Sequence, residues 1–193
     1  MGGSNRKSTV LKLCITAVMA VLVWVSSDFL EIQIPSIMGV DRFHLGNVMC
    51  ALSGILLGPW WGFLAAGLGS ALFDLMNPAF ITDVPITLIT KGLYGMVSGL
   101  LFFGVFRRKS NYVTEVVSAL GGAVTYIVLY LSKKFFLDSM LLAGMDSAGA
   151  WVVVLTKLPS SLFNGAVAVI FAPILAVALR KALKRAGMDR ILA

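Results

Sequence analysis

The chain has 193 residues, of which 59% are hydrophobic and only 13% are charged. A soluble domain carries roughly a quarter charged residues, so this composition excludes an ordinary soluble fold. The net charge of +7 does not indicate nucleic-acid binding, because the basic residues lie at the ends of apolar runs. The length leaves no room for a second soluble domain, and residues 1–193 are predicted to form one membrane domain.

The apolar residues come in runs long enough to cross a bilayer core of about 30 Å. They predict an all-α integral membrane protein with a polar loop at 31–42 and a tight helical hairpin at Gly58-Pro59. Cys14 and Cys50 fall inside apolar runs and indicate neither a disulfide nor a metal site. In chain order, the six predicted transmembrane helices cover about residues 10–30, 43–57, 60–76, 85–106, 113–136 and 151–179.

The basic residues are unevenly distributed over the ends of these spans. With six spans, the N-terminus, the turn at 58–61, the loop at 107–111 and the C-terminus share one side. Cytoplasmic loops are enriched in Lys and Arg, so both termini are predicted to be cytoplasmic. Of the 16 basic residues, this side carries Arg6, Lys7, Lys12, Arg107, Arg108, Lys109, Arg180, Lys181, Lys184, Arg185 and Arg190.

The motifs of common enzymes are missing from the chain. It has no G-x-x-x-x-G-K-[ST] loop for a nucleotide phosphate and no G-x-S-x-G nucleophile turn. His44 is its one histidine, which excludes a histidine-based zinc site. An enzyme is therefore not expected, although an intramembrane hydrolase that uses His44 stays open as an alternative.

Two lysines and an asparagine lie within the predicted spans, where an ionisable group is costly and therefore a functional candidate. Lys91 and Lys157 lie at similar depths in spans four and six. Asn164 follows Lys157 by two helical turns on the same face, with Ser160 and Ser161 between them. We expect Lys91, Lys157 and Asn164 to line a pocket open to the outside, where the two ammonium groups bind an anionic or strongly hydrogen-bonding part of a solute.

A simpler interpretation of the two lysines remains open at this point. Lys91 would pair with Asp74 or Asp83, and Lys157 would extend its ammonium group to the membrane surface. A Lys91→Ala exchange distinguishes the two interpretations, because only a pocket residue weakens solute binding more than it lowers expression.

Further candidates for the pocket lie near the predicted outer surface. Three residues at the start of span two are candidates to cap the pocket: Arg42, His44 and Asn47. The alternative is that Asp41 caps a helix and that His44 lies at the membrane interface. Trp151 is expected either to stack on a flat solute or to belong to an aromatic belt at the lipid headgroups.

Span one carries two small residues at the spacing that lets helices approach closely. Thr16 and Ala20 are four residues apart, with Ala17 beside them. This pattern is typical of a helix contact, either inside the protein or with a partner.

Taken together, several segments resemble the substrate-binding S components of energy-coupling factor (ECF) transporters. Their order and spacing carry the resemblance, which extends over most of the chain. The segments are 44–47 (HLGN), 52–62 (LSGILLGPWWG), 67–75 (GLGSALFDL), 91–95 (KGLYG), and 164–165 (NG) with 173–175 (PIL).

The resemblance implies a six-helix S component of a bacterial plasma membrane that binds a vitamin or related micronutrient from outside. It implies no cofactor in this chain, because ATP is used by two ATP-binding subunits that the family reaches through a membrane T component. A small-residue patch on the first helix docks onto the T component in the family, and the matching residues here are Thr16, Ala17 and Ala20. A self-contained secondary transporter and a purely structural membrane protein are the alternatives.

Overall fold

The computed structural model describes residues 2–36 and 39–185, and side chains within 9–35 and 42–185. The elements in chain order are α1 (Gly2–Asp28), β1 (Glu31–Ser36), β2 (Gly39–His44), α2 (Gly46–Leu57), α3 (Pro59–Met76), α4 (Val84–Leu100), α5 (Tyr112–Ser132) and α6 (Ser147–Arg185). Two helices continue beyond their α-helical part as π-helical segments, α4 over Leu101–Val105 and α5 over Lys133–Leu142.

The short helix α2 forms the centre of the bundle. It contacts each of the other five α-helices, and nearly every residue from Gly46 to Leu56 is buried. A helix that is apolar all round and surrounded on every side needs no polar face, which explains why this segment shows no amphipathic pattern.

Glycines bring α2, α3 and α4 into direct backbone contact. A Cβ built on Gly54 would lie 2.0 Å from the carbonyl oxygen of Gly95, and one built on Gly95 would lie 2.4 Å from that of Gly62. Only a residue without a side chain fits between backbones at this distance. Gly58, at φ 88°, makes the tight turn between α2 and α3.

The predicted polar loop at 31–42 is a β-hairpin. Strands β1 and β2 pair antiparallel, with Glu31 opposite His44 and Ile34 opposite Asp41. The alternation of polar and apolar residues from Glu31 to Ile34 is a strand pattern that the all-α prediction overlooked. Because β2 extends to His44, α2 begins at Gly46, three residues later than predicted.

The connection between the fifth and sixth helices is much shorter than the predicted spans 113–136 and 151–179 leave room for. The π-helical segment carries the fifth helix to Leu142, and α6 begins at Ser147. Inside α6, Pro159 and Pro173 do not end the helix.

The helices run antiparallel and define two ends of the bundle. The hairpin end holds the β-hairpin, the 77–83 connection and the 143–146 turn. The basic end holds the start of α1, Gly58, the 106–111 turn and the end of α6, where Arg180, Lys181, Lys184 and Arg185 lie. The predicted contribution of Arg190 lies outside the described residues, as do the side chains of Arg6, Lys7 and Asp41.

A buried ion pair closes the basic end. Arg180 pairs with Glu115, which is 0% exposed, and also donates to the carbonyl oxygen of Ile55 at 3.0 Å and to the hydroxyl of Ser110 at 2.9 Å. Its guanidinium carbon lies 4.4 Å from the ring centre of Phe102. One arginine thus joins α2, α4, α5 and α6.

Four helices in the described part of the chain are long and apolar enough to cross a membrane: Thr9–Asp28, Ile81–Val105, Tyr112–Leu142 and Ser147–Arg185. The apolar helix α2 has 12 residues and spans about 18 Å at a rise of about 1.5 Å per residue. The protein is therefore a helical membrane protein.

Two of the three small residues of α1 face into the bundle. Thr16 and Ala20 are only 4% and 6% exposed. A Cβ built on Gly69 of α3 would lie 2.3 Å from the carbonyl oxygen of Ala20, so α1 and α3 approach closely at Ala20, and docking of the three residues onto a partner stays a prediction. Of the three residues, Ala17 alone is exposed.

Candidate functional site

A cavity of about 250 Å³ opens at the hairpin end of the bundle. Strand β2 and helices α3 to α6 all contribute side chains to its wall, and α1 contributes Ser27. The residues that line the cavity are Ser27, Arg42, His44, Ser70, Phe73, Asp74, Phe80, Asp83, Ile86, Thr87, Thr90, Lys91, Tyr126, Tyr130, Lys133, Lys134, Lys157, Ser160, Ser161 and Asn164. Five of the seven residues predicted for the solute pocket (Lys91, Lys157, Asn164, Arg42 and His44) therefore lie together.

Lys91 lies in the cavity wall about 10 Å below the start of α4 and is 6% exposed. Its ammonium group donates to the side-chain oxygen of Asn47 and lies 3.8 Å from the ring centre of Tyr126. Asn47 is 1% exposed and sits behind Lys91 instead of lining the cavity itself. Within the described residues, Lys91 forms no ion pair with Asp74 or Asp83, so the simpler interpretation of this lysine does not hold.

The mouth of the cavity is bordered by ion pairs. Lys133 lies 2.6 Å from Asp83, joining the π-helical extension of α5 to the turn before α4. Lys134 lies 2.6 Å from Asp138. Arg42 stacks against the rings of Phe73 and Phe80, with centroid distances of 4.7 and 4.0 Å.

The polar stripe predicted on α6 faces the cavity. Lys157 is 7% exposed, so its ammonium group does not reach out to the membrane surface. The hydroxyls of Ser160 and Ser161 donate to the carbonyl oxygen of Lys157, at 3.0 and 2.8 Å. The hydroxyl hydrogens of both serines are therefore bonded within the helix, and their oxygens can still accept hydrogen bonds.

Asn164 holds the β-hairpin to α6. Its amide nitrogen donates to the carbonyl oxygen of Arg42 at 2.8 Å, and its side-chain oxygen accepts from the backbone N–H of His44 at 3.0 Å. Phe163 packs edge-on against Phe43 at a centroid distance of 5.0 Å. Asn164 therefore positions the strand that carries Arg42 and His44.

We expect Asn164→Ala to loosen the hairpin without unfolding the bundle. The backbone N–H of His44 loses its acceptor, and a net hydrogen bond is worth about 1–1.5 kcal/mol. Its hydrogen exchange, measured by mass spectrometry on the detergent-solubilised protein, should therefore become about five- to tenfold faster. Asn164→Asp keeps the acceptor and should exchange more slowly than the alanine variant. Ser161→Ala is the matched control, because it removes a hydroxyl that is bonded within α6. Equal exchange rates of the His44 amide in Ser161→Ala and Asn164→Ala would contradict the positioning role of Asn164.

His44 lies at the end of β2, where its surroundings favour the neutral imidazole. Desolvation in the bundle, together with the positive charges of Lys91 and Arg42, lowers the pKa of His44 well below its ordinary value. Its Nδ1 accepts a hydrogen bond from the backbone N–H of Gly46 at 3.2 Å, which requires the unprotonated ring nitrogen.

Trp151 is not among the residues that line this cavity, and its contact with a solute stays a prediction. It is 56% exposed, and its ring packs against Phe135 at a centroid distance of 5.1 Å. Because six residues separate Trp151 from Lys157 and each residue turns the helix by about 100°, the two side chains point in directions about 120° apart.

The sequence interpretation missed the contribution of α5. Tyr126, Tyr130, Lys133 and Lys134 line the cavity at spacings of four, seven and eight residues, which is one face of a helix. Tyr126 stacks on Tyr130 and on the buried Tyr94, with centroid distances of 5.7 and 5.8 Å. The same spacing rule that identified the α6 stripe would have found this one.

The cavity has the character of a binding site for a polar, partly aromatic solute. Lysine and arginine side chains provide donors and positive charge, and the tyrosine and phenylalanine rings provide flat apolar surfaces. In the part of the chain with described side chains, no three His, Cys, Asp or Glu residues lie close enough to hold a metal ion.

Comparison with known families gives a match over most of the chain. The family model for the ECF-type riboflavin transporter S component matches residues 7–181. This confirms the resemblance drawn from the sequence segments. The family consists of multi-pass plasma-membrane components of transporters and not of enzymes, which confirms the predicted membrane localisation and the absence of an enzymatic role.

A relative from Pyrococcus woesei, described as an uncharacterised protein in the gap 3′ region, is 30% identical over 115 residues. The aligned part covers 60% of this chain and 72% of the relative. Since the family model extends over nearly all the described residues, the chain belongs to the family of ECF-type riboflavin transporter S components.

Proposed function

We propose that the protein captures a vitamin from outside the cell in the cavity at its hairpin end, with riboflavin as the first candidate. The observation that carries this proposal is the cavity itself, where buried Lys91 and the stacked Tyr126 and Tyr130 face one space. A flat heteroaromatic ring with carbonyl and ring-nitrogen acceptors complements tyrosine faces and ammonium donors. The family's description supports riboflavin in particular.

We further propose that all six α-helices lie across the membrane with both termini in the cytoplasm. The start of α1 and the end of α6 lie at the basic end together with Arg107, Arg108 and Lys109, as the positive-inside rule expects. Helix α2 is short and α3 is only weakly apolar. However, α2 is enclosed by the other helices and needs no contact with lipid. This orientation directs the cavity to the outside.

The proposed partners are a membrane T component and two ATP-binding subunits. This chain lacks a phosphate-binding loop of its own, and its family's designation as an S component supports a shared, ATP-driven importer. The solute would then be released inside the cell at the expense of ATP hydrolysed by the partners. Uptake driven by an ion gradient into vesicles that hold this chain alone would favour a self-contained secondary transporter instead.

The binding proposal is tested with riboflavin and the purified, detergent-solubilised protein. Quenching of flavin fluorescence measures the dissociation constant. Tyr126→Ala should weaken riboflavin binding by about five- to hundredfold, because the stacking of a heteroaromatic base on an aromatic side chain is worth about 1–3 kcal/mol. Tyr112→Ala, on the same helix but 52% exposed and outside the cavity, should bind as the wild type does.

Mass spectrometry of small molecules that co-purify with the protein provides a second measurement. Riboflavin or a relative of it in the wild-type sample and its depletion in Tyr126→Ala would agree with the proposal. A different vitamin at stoichiometric occupancy, with no quenching of riboflavin fluorescence, would show that the riboflavin assignment is wrong.

A further inference from the structure

The β-hairpin has one polar face, which is turned toward the cavity. In an antiparallel pair, residues directly opposite each other share a face, and neighbours along a strand alternate between the two faces. Glu31 lies opposite His44, and Gln33 lies opposite Arg42. Because Arg42 and His44 line the cavity, the polar residues of both strands belong to its side of the hairpin.

The opposite face of the hairpin is apolar and uncovered. Ile32 and Ile34 are 68% and 47% exposed. Phe43, opposite Ile32 in the register, packs edge-on against Phe163 of α6, which is itself 54% exposed. Phe29, directly after α1, is 71% exposed. The apolar face of the hairpin therefore adjoins exposed apolar residues of both α1 and α6.

The hairpin lies at an opening in the ring of outer helices. Helix α1 packs on α3, α3 on α4, α4 on α5 and α5 on α6, whereas α1 and α6 are not closely packed together in the described part of the chain. Strand β2 contacts α6, and both strands contact α1. A hairpin between two outer helices has the cavity on its inner side and the surroundings of the protein on its outer side.

The base of the hairpin lies within the thickness of the hydrocarbon core. From the exposed Lys181 back to Phe163, α6 rises about 27 Å at about 1.5 Å per residue. Helix α2, which leads from the basic end to the hairpin, rises only about 18 Å. A hydrocarbon core of about 30 Å that begins at Lys181 therefore extends past Phe163 and past the first residue of α2. Phe43, which contacts Phe163, lies inside this layer.

The backbone of β2 is bonded in the way that such a position requires. In hydrocarbon, every backbone polar group needs a partner within the protein. Asn164 of α6 binds the carbonyl oxygen of Arg42 and the N–H of His44, at 2.8 and 3.0 Å. Opposite residues alternate between bonded and unbonded pairs, and these two groups lie on the edge of β2 that β1 does not pair. In water this edge would need no side chain to satisfy it.

We propose that the apolar face of the β-hairpin is a lipid-contact surface, with Ile32 and Ile34 against acyl chains of the leaflet on the hairpin side. Lipid is the occupant because the face continues the surfaces of α1 and α6, which are long and apolar enough to cross a membrane. One hairpin then forms the wall between the cavity and the bilayer. This inference holds whichever solute the cavity binds.

Spin labels at three successive positions of β1 test the proposal in phosphatidylcholine liposomes. Ile32→Cys, Gln33→Cys and Ile34→Cys are prepared with Cys14→Ser, because Cys14 is exposed and Cys50 is buried. Oxygen concentrates in the bilayer, whereas a nickel chelate stays in water. The ratio of oxygen to nickel accessibility should be at least about threefold higher at 32 and 34 than at 33, since successive strand positions face opposite sides.

Two other outcomes would overturn the proposal. Labels at 32 and 34 that the nickel chelate reaches as readily as the label at 33 would place the apolar face in water. Labels at 32 and 34 that neither reagent reaches would show that a second copy or another protein covers the face.

A measurement on the unaltered protein excludes an effect of the labels themselves. A phospholipid with a diazirine in its acyl chain is photolysed in the same liposomes, and the modified residues are located by mass spectrometry. Ile32 or Ile34 should carry adducts, as should Ile170 of α6, which is 50% exposed. Adducts at Ile170 without any on the hairpin would show that the hairpin does not contact acyl chains.

Discussion

Replacing Arg180 with alanine is expected to lower the free energy of unfolding by about 3–5 kcal/mol, the usual cost of removing one partner of a buried ion pair. The carboxylate of Glu115 would stay fully buried with no positive charge beside it. The carbonyl oxygen of Ile55 near the end of α2 would also lose its donor. At roughly 2–4 °C per kcal/mol for a chain of this size, the unfolding temperature should fall by about 6–20 °C.

Thermal unfolding of the detergent-solubilised variants checks this expectation. Lys181→Ala is the control, because it removes the next basic residue of α6, which is exposed, and it should unfold near the wild-type temperature. The double variant Arg180→Met with Glu115→Gln removes both charges and should recover most of the lost stability. If Arg180→Ala unfolds at the same temperature as Lys181→Ala, the ion pair does not stabilise the basic end.

The second large effect is expected from Gly95→Ala in α4. The added methyl group would lie 2.4 Å from the Gly62 carbonyl oxygen, well inside van der Waals contact. The obstacle is backbone, which no change of rotamer can move, so α3 and α4 must separate. Overpacking costs 1–3 kcal/mol where side chains can adjust, and here we expect about 3 kcal/mol or more.

The chain offers a matched control for this exchange. Gly104 follows in the π-helical continuation of α4, and a Cβ built on it meets no atom within 4 Å. Gly104→Ala should therefore leave the unfolding temperature within about 2 °C of the wild type, whereas Gly95→Ala should lower it by about 6–12 °C and reduce the yield of monodisperse protein. Similar unfolding temperatures for the two variants would mean that α3 and α4 do not rely on glycine to approach each other.

Both predictions concern the packing of the helices and not the residues that line the cavity. Arg180 lies at the basic end, so the single Arg180→Ala variant tests stability without removing a residue of the proposed binding site. The variants of Lys91, Tyr126 and Asn164 act at the hairpin end. The two groups of variants therefore separate loss of folding from loss of binding.

Much of the fold follows from local properties of the sequence. Apolar runs of sufficient length predict helices in a membrane, and Gly58-Pro59 predicts a tight turn, because both depend on neighbouring residues alone. The α6 stripe from Lys157 to Asn164 was predictable for the same reason: residues seven apart on a helix share a face whatever surrounds them. The concentration of basic residues near the chain ends is also visible without coordinates.

The tertiary structure decided which neighbours these residues meet. Asn164 binds the backbone of Arg42, 122 positions away, and Arg180 finds Glu115 at a separation of 65. Nothing local distinguishes an asparagine that touches a solute from one that holds a hairpin. The amino-acid sequence alone therefore predicts a helical membrane protein with polar side chains at similar depths in several helices. Only the packing of those helices turned five separate basic residues into the wall of one cavity, because the direction in which a side chain points is determined by the faces that the helices bury against each other.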